Sequence, residues 1–463
     1  MKKGILIIIF QFFLCSLANA QLFPPPAANA EPVDSENFSR TLHLLNSSTA
    51  KQKNTVKVAV YGQSISVQDW SKEIEQFLRT TYPEANLVFK NLAIGGFSAQ
   101  ILHKMVHQDI CTFYPDLVLF HVYGNDKFYE KIIQEIRSHT IAEIGLQTDH
   151  FHGDREWNNE MSYQIIPALA KKYDCQLIKI RDPWKAYLQQ NDLEYKALLK
   201  DNVHLNDHGN FLMAELIKPY LARQNAPENF ETDLIQTLEI GKDLQIHNNR
   251  IKHLFYGNRA ELVFEITESS AADFEIGIRI DRKPPSQIAD TYFQSRPYNE
   301  NGDGFPWNMG SMIATNQISD WVEEKWKLEF KQIGNPYDTF TYEITGSETG
   351  FDGSGSNMHD FISHSGRVVI RAGGVEEGGD WHVARSHKVL GTETLSGDEI
   401  FWNTYSISKD RIKTLEQNPV VVFQGTLNDY HEIELIISGD TPFKEVSFYR
   451  SPFELIDNVP VTE

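Results

Sequence analysis

The chain has 463 residues, 43 Lys+Arg against 63 Asp+Glu, and a formal net charge of −20. That length suggests two or three domains at about 100–200 residues each, and 41% hydrophobic with 23% charged residues is the composition of a chain that buries large cores, which excludes disorder as its main state. The acidic balance argues against nucleic acid and against an anionic membrane surface, because both need a basic stripe.

The first twenty residues read as a signal peptide. Lys2 and Lys3 form a short positive region, Ile5 to Leu17 is apolar apart from Gln11 and Ser16, and Ala18-Asn19-Ala20 has the small-x-small form of a cleavage site. The apolar stretch is short for a span, and no later segment is long and apolar enough to cross a membrane. The expectation is a soluble, exported protein, periplasmic or secreted, cleaved near Ala20. A lipoprotein reading through Cys15 is weaker, since bulky Leu14 stands where a small residue is expected. Cys111 and Cys175 remain after cleavage. They read as buried free thiols, and export leaves a disulfide open.

Residues 21–55 are expected to form a Pro/Ala-rich leader and a short helix with Phe38, Leu42 and Leu45 on one face and Ser35 as its cap. From Val56 onward, apolar runs at 56–62, 85–93, 115–124, 140–148 and 175–180 alternate with helical stretches at 70–80, 98–110, 127–138, 158–173 and 208–222. This pattern predicts βαβ units around a parallel sheet covered on both faces, with 56–224 as one α/β domain. After Gln224 the periodicity changes to alternation, at 261–267, 274–280, 325–330, 339–345, 367–372, 419–424, 432–438 and 444–450. Residues 225–463 therefore read as an antiparallel β-sandwich. The stretch Asp352–Asn357 reads as a glycine-rich turn, with Ca²⁺ binding the weaker reading. Trp307, Trp321, Trp326, Trp381 and Trp402 read equally as sandwich core or as sugar-stacking faces, and burial is the commoner fate for Trp157 and Trp184.

Ligands of open α/β sheets bind beyond the carboxyl ends of the strands. At those ends the sequence places Tyr61-Gly62-Gln63-Ser64, Asn91-Leu92-Ala93-Ile94-Gly95-Gly96, Tyr123-Gly124-Asn125-Asp126 and, before the last helix, Asp201-Asn202-Val203-His204. Ser64 is expected to open the helix that follows the first strand. Taken singly, Ser64 and Asn125 read also as helix caps, Gly96 as a turn glycine, and His208 as a rival to His204. Gln147-Thr148-Asp149-His150 follows the fourth strand on the same edge. There Asp149 and His150 are candidates for substrate contact, against a plain polar loop or a metal pair of His150 with His152.

These four blocks, in this order over roughly 170 residues, resemble the SGNH (GDSL-type) hydrolase superfamily, in particular exported carbohydrate esterases with an appended β-sandwich domain. Two departures stand out. GQS replaces the commoner GDS, a variant seen in some carbohydrate esterases, and Tyr123 replaces the first glycine of GxND. The resemblance implies a flavodoxin-like three-layer α/β/α domain and acyl-ester hydrolysis, with Ser64 as nucleophile, His204 as base and Asp201 as its orienter. The N–H groups of Ser64 and Gly96 and the amide of Asn125 would form the oxyanion hole, and Gln63 and Tyr123 would lie against substrate.

A serine hydroxyl needs an adjacent base to act as nucleophile, and imidazole held by a carboxylate supplies one. That chemistry needs no metal or organic cofactor. The expected partner is an acylated, foremost O-acetylated, polysaccharide or oligosaccharide. The alternatives are a lipase- or thioesterase-like enzyme for longer acyl chains, a glycan-binding protein with an inactive hydrolase domain, and acyl transfer to a sugar.

Overall fold

Strands β1 (Thr55–Gly62), β2 (Asn86–Asn91), β3 (Leu117–His121), β4 (Glu143–Gln147) and β5 (Gln176–Ile178) pair in parallel in the order β2-β1-β3-β4-β5. The computed structural model describes residues 23–27, 33–265, 274–300, 321–332, 339–374, 378–381, 396–415, 418–439 and 443–454. The signal segment 1–20 and Trp307 lie outside the described residues. The strand order is that of flavodoxin-like folds, as expected, and it places a switch point between β1 and β3.

Both faces of the sheet are covered because both sets of alternate residues are apolar. Val56, Val58, Val60, Leu117 and Leu119 pack with α1 (Ser39–Ser47), α2 (Trp70–Thr81), α7 (Arg181–Gln190) and α8 (Asp207–Ile217). Ala59, Tyr61, Val118, Phe120, Ile144 and Leu146 pack on the other face. There they meet α3 (Ala99–Leu102) with the tight turn and then the wide turn that continue it to Cys111, α4 (Asp126–His139), and the run from α5 (Glu156–Glu160) to α6 (Ile166–Lys172).

Local details differ from the sequence expectations. Asp34, not Ser35, caps the first turn, its carboxylate accepting the Glu36 N–H at 3.0 Å. Helix α7 lies outside the expected helices; it holds Pro183 in its first turn, where proline removes only an N–H that has no helical acceptor. Cys111 and Cys175 are both buried free thiols.

The C-terminal half is antiparallel, as expected, and is divided into two main sheets. One comprises β6 (Ile235–Glu239), β7 (Arg250–Phe264), β8 (Phe274–Ile280), β16 (Arg411–Ile412), β17 (Val420–Gly439) and β18 (Phe443–Tyr449), in the order β16-β8-β17-β7-β18-β6. The two runs expected at 419–424 and 432–438 are one 20-residue strand, β17, whose register shifts at Val421/Phe423 and Gln424/Asp429. Ile251 and Phe255 from one end of β7 share an apolar cluster with Leu262 and Phe264 from the other. The sheet therefore curls over itself at these irregularities.

The second sheet joins β9 (Tyr292–Gln294), β10 (Glu324–Gln332), β11 (Phe340–Gly346), β12 (Gly350–Ser356) and β15 (Glu399–Ser406) in the order β12-β11-β10-β15-β9, and β13 (Phe361–Ile362) pairs with β14 (Val369–Ile370) as a small hairpin. It has its own core, which contains Trp326, Trp381 and Trp402. Trp321 is buried as well, so the core reading holds for these four tryptophans. Asp352–Asn357 is not a turn. Most of it is β12, and Asp352 is buried, accepting the N–H and the hydroxyl of Ser365 at 2.7 Å each. The two halves of the chain are joined by buried hydrogen bonds, from Gln424 to the Cys111 carbonyl at 2.8 Å, Asn258 to that of His139 at 2.9 Å and Ser451 to that of Ser138 at 2.6 Å.

Gly62 closes β1 at φ +149°, and a Cβ there would lie 1.8 Å from the His121 carbonyl oxygen of β3. Gly62→Ala is therefore expected to lose on the order of 3 kcal/mol of stability. Urea unfolding of the full chain beside wild type measures this.

Candidate active site

The turn after β1 carries the serine. Ser66 and Val67 donate their N–H groups to the Gln63 carbonyl at 2.9 and 3.1 Å, and helix α2 begins only at Trp70. Ser64 thus stands in a tight turn and does not open the helix, a correction to the sequence expectation. The turn is folded because the backbone at Gly62 is pressed against His121 and the Ser66 hydroxyl donates to the same His121 carbonyl at 3.1 Å.

The Asp201–His204 turn faces Ser64 from the loop before α8. The Ser64 hydroxyl donates to His204 Nε2 at 2.9 Å, and His204 Nδ1–H donates to Asp201 Oδ2 at 2.7 Å. The other Asp201 oxygen accepts the N–H groups of His204 and Val203 at 2.8 Å each. These two backbone bonds, with the imidazole bond after them, hold the Asp201 carboxyl well below the usual carboxylate range although it is half exposed. The rival His208 is elsewhere. Its Nε2 faces the Tyr187 hydroxyl at 2.7 Å and its ring stacks on Phe23.

The other two blocks meet at the same strand ends. Gly96 is exposed at φ +87°, and neither its N–H nor that of Ser64 donates to a group among the described residues. Asn125 caps α4, its Oδ1 accepting the Lys127 N–H at 2.9 Å, which leaves the amide NH₂ without a partner among the described residues. The cap reading and the donor reading of Asn125 are therefore compatible. Gly124 holds φ +139°, where a Cβ would lie 2.3 Å from the Gln100 side-chain oxygen. That oxygen accepts the Asn125 N–H at 3.0 Å.

Three of the four candidates for substrate contact turn out to be spent on structure. Gln63 is buried, and the amide orientation that satisfies both its ends bridges two loops, donating to the Phe97 carbonyl at 3.1 Å and accepting the Tyr123 N–H at 3.1 Å. Asp149 is buried against His121 Nε2 at 2.9 Å and Asn158 Nδ2 at 2.7 Å. His150 is fully buried and donates to the Val203 carbonyl at 2.9 Å, inside the Asp201–His204 turn. Its burial, with His152, His121 and Arg181 nearby, pushes its pKa well down and keeps it neutral. Neither Asp149 nor His150 reaches solvent, so the substrate expectation for both is corrected. Tyr123 is half-buried, its hydroxyl points inward, and its ring meets the edge of Trp157 at 5.6 Å between centroids. Trp184 is buried beside His150, whereas Trp157 remains partly exposed.

Gln68 was missed. It donates to the Leu205 carbonyl at 2.8 Å and accepts the Leu205 N–H at 3.0 Å, binding the histidine turn to the serine turn. Nothing in the local sequence distinguishes it from a solvent-facing glutamine. Among the described residues no group of three or more His, Cys, Asp or Glu side chains is gathered as for a metal ion.

No protein-family model matches the chain, and no curated protein matches it. Solved structures similar to it include the acetylxylan esterase Axe2 from Geobacillus stearothermophilus, at 15% identity over 38% of this chain and 97% of that one, with a TM-score of 0.33. The acetyl xylan esterase AlAXEase is 26% identical over 35% of this chain and 98% of that one, with a TM-score of 0.32. A two-domain esterase (CEX) active on acetylated mannans is 12% identical over 90% of this chain and 96% of that one, with a TM-score of 0.36.

The depressed Asp201 pKa fixes the sign of a stability effect. The contribution is complete above the unfolded carboxylate value of about 3.9 and is lost as pH falls through the lower folded value. The stability gap between wild type and Asp201→Asn is expected to shrink as pH falls below about 4, as followed by urea unfolding across pH.

Proposed function

We propose that the chain is an exported serine esterase that hydrolyses O-acyl esters, foremost O-acetyl esters, of a polysaccharide or oligosaccharide through an acyl-enzyme. The observation that carries this reading is the continuous hydrogen-bonded line from Ser64 Oγ through both nitrogens of His204 to Asp201. As Oγ attacks the ester carbonyl, His204 Nε2 takes its proton, and Asp201 stabilises the imidazolium and fixes the ring's orientation. The carbonyl oxygen becomes an oxyanion. The N–H groups of Ser64 and Gly96 and the Asn125 NH₂ are the donors assigned to it. The imidazolium returns its proton to the departing sugar oxygen. Water, deprotonated by the same imidazole, then releases the acid from Ser64.

A carbohydrate alcohol, rather than a long acyl chain, is supported by the exposed ring of Trp157 against Tyr123 and by the polar run of chain that Trp157 belongs to. A cavity of about 540 Å³ is lined by Asp154, Glu156, Asn159, Glu160, Tyr163 and Gln164. Exposed Tyr163 and Trp157 stand on the same run of chain, the latter against Tyr123. Carboxylates and amides that accept and donate to hydroxyls, with aromatic faces beside them, suit sugar rings. Export is supported by the Lys2/Lys3 start, the apolar stretch and the Ala18-Asn19-Ala20 site.

Acetate release from a panel of acetylated plant and algal polysaccharides, with wild type beside Ser64→Ala, tests the reading. Ser64→Ala is expected to lose on the order of 10⁶ in kcat. Release that persists in Ser64→Ala overturns the serine mechanism. Cleavage of p-nitrophenyl acetate with no release from any polymer retains the esterase and removes the substrate. In the same assays, Trp157→Ala is expected to raise KM for the polymer by about 10-fold, the value of roughly 1.4 kcal/mol of lost stacking, while leaving kcat/KM for p-nitrophenyl acetate within about twofold.

A further inference from the structure

The antiparallel half reaches the α/β domain with a charged side chain, Arg296, close to the glycine loop. Arg296 follows β9, and its backbone is fixed on both sides, by Ser295 N–H on the Asn403 carbonyl at 2.9 Å and by the Tyr298–Phe401 pair at 2.7 and 2.8 Å. Its guanidinium crosses into the α/β domain. Nε and Nη2 both bond the Asp109 carboxylate, Nη2 at 2.7 Å, and Nη2 also donates to the Leu92 carbonyl at 2.6 Å.

Each of those two acceptors bears on the site. Leu92 and Ile94 donate their N–H groups to the Val60 and Gly62 carbonyls at 2.8 and 2.9 Å. Leu92 is therefore where the chain leaves the sheet edge to form the loop that carries Gly95 and Gly96. Asp109 lies in the wide turn 107–111, buried, with the Tyr61 hydroxyl 3.2 Å from its Oδ2. Tyr61 immediately precedes Gly62 and the serine turn. Burial pushes the Asp109 carboxyl up, and Arg296 pulls it back down. The same segment is fastened again at Lys104, which pairs with Asp380 at 3.2 Å and donates to the Gly378 carbonyl at 2.8 Å, and at His107, whose ring stacks on Phe293.

We propose that Arg296 is a positioning residue for the ester hydrolysis, holding the Leu92–Gly96 loop and, through Asp109 and Tyr61, the end of β1 at the spacing the oxyanion requires. The antiparallel half is then a working part of the catalytic site and not a separable module. This inference rests on the esterase reading above. A planar guanidinium has the geometry to bind a carboxylate with two N–H groups while a third donor direction reaches a carbonyl, which an ammonium cannot reproduce.

The experiment uses the full chain and p-nitrophenyl acetate, with melting temperature, kcat and KM measured for wild type, Ser64→Ala, Arg296→Lys, Arg296→Met and the double variant Arg296→Met/Asp109→Asn. Arg296→Met leaves a buried carboxylate without its cation and is expected to lower both melting temperature and kcat. The double variant removes that unpaired charge and is expected to recover most of the melting temperature. Its kcat is expected to stay about 10–100-fold below wild type, with KM within about threefold, because the loop is still unheld and small misplacements cost rate rather than binding. Arg296→Lys is expected to keep the melting temperature near wild type and to lose about tenfold in kcat. If kcat returns to the wild-type value in the double variant, or is unchanged in Arg296→Lys, Arg296 is a structural residue only and the proposal is overturned. If wild type shows no turnover that depends on Ser64, the esterase reading falls and this inference falls with it.

Discussion

Gly62 and the His121 carbonyl touch at the carboxyl ends of β1 and β3, and the site is built around that contact. A side chain at residue 62 would separate the two strands where the serine turn and the Asn125 loop must stand side by side. The constraint follows from the strand order. In a β2-β1-β3-β4-β5 sheet, the connections leaving β1 and β3 run to opposite faces, so their first residues part above the shared edge and leave a crevice between them. Parallel pairing of Gly62 with His121 fixes the depth of that crevice. Ser64, Gly96 and Asn125 gather there because each is the second to fifth residue beyond a strand.

Loops at strand ends are held by few ladder bonds, and here buried and half-buried polar side chains do the holding. Gln63 ties the glycine loop to the Tyr123 loop. Gln68 ties the histidine turn to the serine turn. Gln100 carries the N–H of Asn125, and His150 carries the carbonyl of Val203. Each such bond contributes only about 1 kcal/mol net, but a buried donor or acceptor left unpaired costs about 1–3 kcal/mol. The network is therefore worth more as a selector of one loop arrangement than as a source of stability. It also accounts for the glutamine in GQS, whose side chain has both a donor and an acceptor and uses both, which an ionised aspartate at residue 63 has no N–H to do.

The antiparallel half continues this logic across the domain boundary. Arg259 lies over the Tyr114 ring and pairs with Glu261, while Asn258, Gln424 and Ser451 each donate to a carbonyl of the α/β domain. Buried directional bonds of this kind fix an orientation, whereas an apolar interface alone tolerates sliding. The antiparallel half is fixed in this way against the segment from Leu92 to Tyr114 and against the end of α4.

The four blocks, the alternation that makes a two-sided parallel sheet, and the pairing of Asp201 with His204 are legible from the residues alone, because each depends on neighbours close together in the chain. The antiparallel half was legible in class but not in detail. Strands β6, β9, β12 and β15 carry weak patterns or glycines, and β17 hides a bulge that alternation reads as a break. The inward turn of Asp149 and His150 was illegible, since a polar loop reads the same whether its side chains meet water or meet His121, Asn158 and Val203. Which glutamines bridge loops, the turn that holds Ser64 ahead of its helix, and the meeting of Arg296 with Asp109 from 187 residues away emerge only from packing. Such contacts are set by where packed elements place their ends, and local propensity carries no record of that placement.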